Sequence, residues 1–186
     1  MSTCRENFEK WYVQVLESLY GNEHAGFAIL MITFPLLERY LREKAGLCKD
    51  SIGDYKRFAS SFFAIFPLDG NPDTVQRFWT AYRHGLLHRA ALSTRPVKNK
   101  PPPTEIKLRG DVPDISYDAQ KDAFIVNPSG FSRRVIAVIK NDFPSFESTN
   151  TPDHSLPIIE DYAGGTVSPH SIGAESFSPN TPYNDI

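Results

Sequence analysis

The sequence predicts a mainly α protein: an antiparallel bundle of four to five helices, with a small β-hairpin insertion and a disordered C-terminal tail. Three observations carry this. Four segments before residue 93 repeat apolar residues at helical spacing and are joined by short loops bearing Gly, Pro or Asn. Prolines and short strand-like segments interrupt that pattern between residues 93 and 128. From Pro144 onward the chain turns to Ser, Thr and Pro, with little periodicity. The expected organisation is a helical domain over residues 1–143, holding the Pro-rich loop and β insertion at 93–128, and a flexible acidic tail over 144–186.

The elements follow in order. Phe8, Trp11, Tyr12, Val15, Leu16 and Leu19 mark a first helix that Gly21-Asn22 ends. A second runs from about Glu23 to Ala45. Its first half is apolar on nearly every face and so belongs at the centre, and Pro35 is expected to kink it. Its second half reads as a half-exposed stripe, because Leu36, Leu37, Tyr40 and Leu41 alternate with Glu38, Arg39, Arg42, Glu43 and Lys44. Asp50 or Ser51 is a suitable cap for a third helix with Tyr55, Phe58, Phe62, Phe63 and Phe66 on one face. Asp73 is the expected cap of a fourth, about Thr74 to Leu92, carrying Val75, Phe78, Trp79, Tyr82, Leu86 and Leu87. Short strands are expected at Glu105–Arg109, Ile115–Tyr117 and Ala123–Val126, with a turn over residues 118–122. A last helix follows Asn127-Pro128-Ser129, with Phe131, Val135, Ile136, Val138 and Ile139 as its apolar face.

Composition narrows the function classes. The net charge of −2 divides into +4 over residues 1–100 and −6 over the rest. This distribution permits an anionic partner in front, with the tail as a competing anion. Cys4 and Cys48 are the only cysteines, without CxxC or metal-ligand spacing, so reduced thiols in a cytoplasmic protein are expected. The longest apolar run, Ala25 to Leu37, is well short of the roughly 20 residues of a spanning helix. No cofactor, metal or membrane is expected. There is no Gly-rich phosphate loop, HExxH or GxSxG in the chain.

One stretch concentrates chemistry: Ala81-Tyr82-Arg83-His84-Gly85-Leu86-Leu87-His88. Arg83 offers a planar fork of donors for a phosphate and can stabilise charge developing on a phosphoryl group. An imidazole is the side chain suited to proton transfer near neutral pH, so His88 can take a proton from a ribose hydroxyl or give one to a leaving oxygen. His84 lies four residues earlier and shares its helix face. Positions 83 and 88 are about 140° apart around an ideal α-helix, so the Arg must curl round or the helix must distort near Gly85. An interior Gly costs about 1 kcal/mol relative to Ala, a cost that close approach of another backbone would offset, such as the same helix of a second subunit.

This stretch resembles the signature of the HEPN superfamily, an Arg, four to six residues, then a His, often with a polar residue directly after the Arg. Arg83 and His88 fit the four-residue form, and His84 takes the polar place. The resemblance spans roughly residues 6–143 less the β insertion. It implies a helical homodimer whose two motifs face a shared cleft. In active members that cleft cuts RNA without metal, through attack of the ribose 2′-hydroxyl and formation of a cyclic phosphate, and many relatives are toxins or defence effectors. The expected activity is therefore that of a metal-independent endoribonuclease, with RNA and a regulatory protein as partners. The alternative is a catalytically silent helical module that binds a protein or nucleotide through the same face. In toxins silenced by a nucleotidyltransferase, a Tyr two residues past the motif His accepts the nucleotide; here Ala90 occupies that position. Arg77 and His84 match the bare pattern too, at its longest spacing. The plain reading of Arg83 is an ion pair with a carboxylate of the bundle, and of His84 and His88, ordinary partly buried helix positions.

Overall fold

The computed structural model describes residues 4–47, 54–87, 92 and 104–147. All of them fall within one of the two units into which the chain divides, Met1–Leu156. The fold is mainly helical with one three-stranded sheet. Helix α1 (Cys4–Phe8) passes through a π-wound turn, Glu9–Val13, into α2 (Gln14–Leu19), and Gly21 at φ +87° turns the chain. Only glycine adopts that backbone routinely.

Helix α3 (Gly26–Lys44) is the longest element and continues through Pro35. It buries Ile29, Leu30, Thr33, Phe34, Leu37 and Leu41. The exposed stripe expected on its second half is only partly there. Glu38 and Arg42 are buried, joined by an Nε–Oε1 hydrogen bond of 2.9 Å one turn apart. The Arg42 guanidinium also lies 5.9 Å from the Tyr55 ring centroid. Charged letters in a helix read as exposed unless a partner is within reach, and here i,i+4 spacing supplies it.

Asp50 and Ser51, the expected caps of the third helix, lie outside the described residues. That helix enters through a 3₁₀ turn, Asp54–Phe58, and runs as α4 (Ala59–Ile65). Helix α5 (Pro72–Ala81) is capped two residues before the expected position. Asn71 is the N-cap, its side chain accepting from the Asp73 N–H at 3.0 Å, with Pro72 at the first helical position where a missing donor costs nothing. Asp73 points instead to Lys56.

The β insertion is more than the expected hairpin. Strands β2 (Ile115–Asp118) and β3 (Ala123–Val126) form the antiparallel hairpin, and β1 (Glu105–Leu108) pairs parallel to the other edge of β3, giving the order β1-β3-β2. The alternation along β1 marks a strand but does not name its neighbour. In the connecting turn, Asp118 Oδ1 accepts from the N–H groups of Gln120 and Lys121, and Asp122 takes φ +46°.

Helix α6 (Pro128–Asn141) repeats the start of α5. Asn127 caps it by accepting from the Gly130 N–H at 3.1 Å. A Cβ at Gly130 would fall 1.7 Å from the Pro113 carbonyl oxygen, so glycine is required by that close approach. The helical domain then extends past the boundary expected at residue 143: α7 (Phe143–Glu147) packs Phe143 and Phe146 against Phe8, with ring centroids 5.5 and 5.3 Å away. The remainder of the expected tail lies outside the described residues.

Phe34 stands at the centre of the core. Its ring is 5.2 Å from Phe78, 4.4 Å from Tyr82 and 5.3 Å from Phe131, while Phe124 of β3 reaches Phe78 at 5.0 Å. These rings join α3, α5, α6 and the sheet into one apolar cluster. Full burial of each such side chain stabilises the fold by about 1.5–3 kcal/mol.

Candidate functional site

The line of α5 changes winding at Tyr82. Residues Tyr82–Leu87 form a π-helical segment. Tyr82, Gly85 and Leu86 are all buried within the single chain, and the segment packs against α3. The Tyr82 ring lies on Phe34 and 6.5 Å from Trp79.

The backbones of Arg83 and His84 belong to this segment. Their side chains, and His88 as a whole, lie outside the described residues. The expectation that the fourth helix continues to Leu92 is corrected as far as Leu87: regular α winding stops at Ala81, and π winding replaces it.

Arg77, the Arg of the second pattern match, lies six residues earlier and is held by the sheet through one nitrogen of its guanidinium. Its Nη1 donates to Asp122 Oδ1 at 3.1 Å and to the Tyr117 hydroxyl at 3.2 Å. The Tyr117 hydroxyl donates to the same oxygen at 2.7 Å, and the Thr104 hydroxyl to Asp122 Oδ2 at 2.8 Å. Burial pushes the Asp122 carboxyl up, but hydrogen bonds from Tyr117, Thr104 and Arg77 outweigh it and leave the group below the ordinary carboxylate range. The same contacts raise Arg77, through Tyr117 first and Asp122 second.

Sequence reasoning missed the cluster. Asp122 reads as the last letter of a turn, and nothing local connects it to a helix 45 residues earlier. Beside it opens a cavity of about 270 Å³ lined by Asp73, Gln76, Arg77, Thr80, Ala81 and Thr104. One wall is the face of α5 that leads into the π-wound segment.

No group of three or more His, Cys, Asp or Glu side chains suited to hold a metal ion occurs among the described residues. No helix among them is long and apolar enough to cross a membrane. Comparison of the chain with family models, with characterised proteins and with solved structures gives no match.

Proposed function

We propose that the protein is an HEPN-like helical bundle acting as a metal-independent endoribonuclease, with Arg83, His84 and His88 as its reacting set. His88 takes the proton of a ribose 2′-hydroxyl, whose oxygen attacks the adjacent phosphorus. Arg83 stabilises the charge that builds on the phosphoryl oxygens, and His84 orients the phosphate. The 5′-oxygen leaves with a proton from the protonated His of a second copy across the shared cleft. The products are a 2′,3′-cyclic phosphate and a 5′-hydroxyl.

The observation that supports this reading is the winding of Tyr82–Leu87. In an α-helix, positions five apart diverge by about 140°. A π register bonds residue i to residue i+5, which returns positions five apart to one face. Arg83 and His88 are five apart, and single π turns inside α-helices recur at functional sites. The distortion required by the spacing of the motif is therefore found in the segment that holds its Arg.

The test uses the full chain with structured and single-stranded RNA in EDTA. Cleavage is expected to survive the chelator and to leave cyclic phosphate ends. Arg83→Ala and His88→Ala are each expected to lower the rate by about 100-fold or more while leaving the circular dichroism spectrum unchanged. Intact RNA at every dose overturns the reading and leaves a silent binding module.

A further inference from the structure

We infer that the cavity beside α5 is a guanine-binding subsite, read by the open donor edge of Arg77 and the open carboxylate oxygen of Asp73. Arg77 engages the sheet through Nη1 alone. Its Nε–H and Nη2–H, the side-on pair of parallel donors in a guanidinium, have no hydrogen-bond partner among the described residues. Tyr117 and Asp122 hold the plane of that fork, so little side-chain entropy remains to be lost on binding. Asp73 places one oxygen on Lys56, and the other is unclaimed among the described residues. Thr80 and Thr104 give their hydroxyl protons to the Gln76 carbonyl and to Asp122, so toward the cavity they are acceptors.

Charge decides between a base and an anion. Asp73 and Arg77 line the cavity with opposite signs, and their partners Lys56 and Asp122 cancel as well. A lone phosphate or carboxylate gains no net field there, and the open Asp73 oxygen repels it. A neutral ligand with two acceptors on one edge and two donors on the next fits the lining. Guanine has that pattern, with O6 and N7 for the Arg fork and the N1–H and 2-amino groups for a carboxylate. Asp73, Gln76, Arg77 and Thr80 recur at i, i+3, i+4 and i+7, one face of α5. Arg77 precedes position 83 by roughly 9 Å of helix rise, so a base bound here belongs to a nucleotide near the reacting phosphate. That RNA is the source of the base rests on the ribonuclease reading.

The test titrates GMP, AMP, CMP, UMP and inorganic phosphate into the full chain by calorimetry. GMP is expected to bind tightest, by about tenfold or more over AMP. Asp73→Asn is expected to erase that preference. Asp73 is on the surface, so this variant keeps the fold where Arg77→Gln, which also releases the sheet, leaves a loss ambiguous. Equal affinity for the four nucleotides, phosphate binding as tight as GMP, or an unchanged preference in Asp73→Asn each overturns the subsite. With RNA as substrate the two readings separate. Cleavage without regard to guanine sinks the subsite and spares the nuclease, whereas GMP selectivity beside intact RNA sinks the nuclease and spares the subsite.

Discussion

Helices α5 and α6 start alike and finish differently. Each opens with Asn-Pro, the Asn side chain accepting from the N–H of the second or third residue inside the helix and the Pro filling a position that needs no donor. Helix α6 then keeps regular winding to Asn141. Its C-cap Asp142 is held by Lys44 at 2.7 Å and by the Tyr40 hydroxyl at 2.9 Å, both from α3. Helix α5 keeps regular winding only to Ala81 before Tyr82–Leu87 turns π-helical against the same α3. The start of a helix is thus a local matter of three or four residues. Its finish depends on what the far end meets.

The largest test of this contrast is Phe34→Ala. Phe34 touches Phe78 and Tyr82 on one side and Phe131 on the other. Loss of this ring is expected to destabilise the fold by about 3–5 kcal/mol in urea denaturation. Amide exchange is expected to quicken over Tyr82–Leu87 more than over α6, whose caps remain. Equal acceleration in both would mean that the two finishes do not differ in their dependence on α3.

The caps provide an intermediate test. Asn71→Ala removes one hydrogen bond and is expected to cost about 1 kcal/mol. Asn127 also donates from Nδ2 to the Val112 carbonyl at 2.9 Å, so Asn127→Ala is expected to cost about 1 kcal/mol more. Matching losses would show that the second hydrogen bond of Asn127 contributes nothing.

The smallest effect concerns pH. The Asp142 carboxyl is lowered from 3.8 to about 2, first by the hydrogen bond from the Lys44 ammonium and then by that from Ser145. A group lowered on folding stabilises the native state above its unfolded value, and that contribution fades as pH falls through about 4 toward 2. A carboxylate at a helix C-terminus opposes the helix dipole, so its partners are what make it favourable. The pair is partly exposed, which limits its contribution to about 0–1 kcal/mol. Asp142→Asn is expected to flatten this part of the stability–pH curve; an unchanged acid limb would place the loss elsewhere.

Much of the fold was legible because its signals are short in range. The apolar spacing of Phe8 to Leu19, the aromatic face of Phe58, Phe62 and Phe66, and the Asn127-Pro128 start each lie within one or two turns of chain. Less of the site was legible. The spacing of Arg83 and His88 announces a need for helix distortion, and π winding is found over Tyr82–Leu87. Arg77, which matches the same pattern, has its partner across 45 residues. That pairing could not be read without the sheet.

The sequence by itself determined which faces are apolar, where strands interrupt the helices and, to within about three residues, where helices begin, since capping and periodicity act over a few neighbouring residues. Tertiary structure alone decided the parallel place of β1, the burial of Glu38 with Arg42, the winding after Ala81 and the sheet's hold on Arg77. Each of these depends on groups that meet only when distant segments pack, and close packing admits few arrangements of side chains of fixed volume.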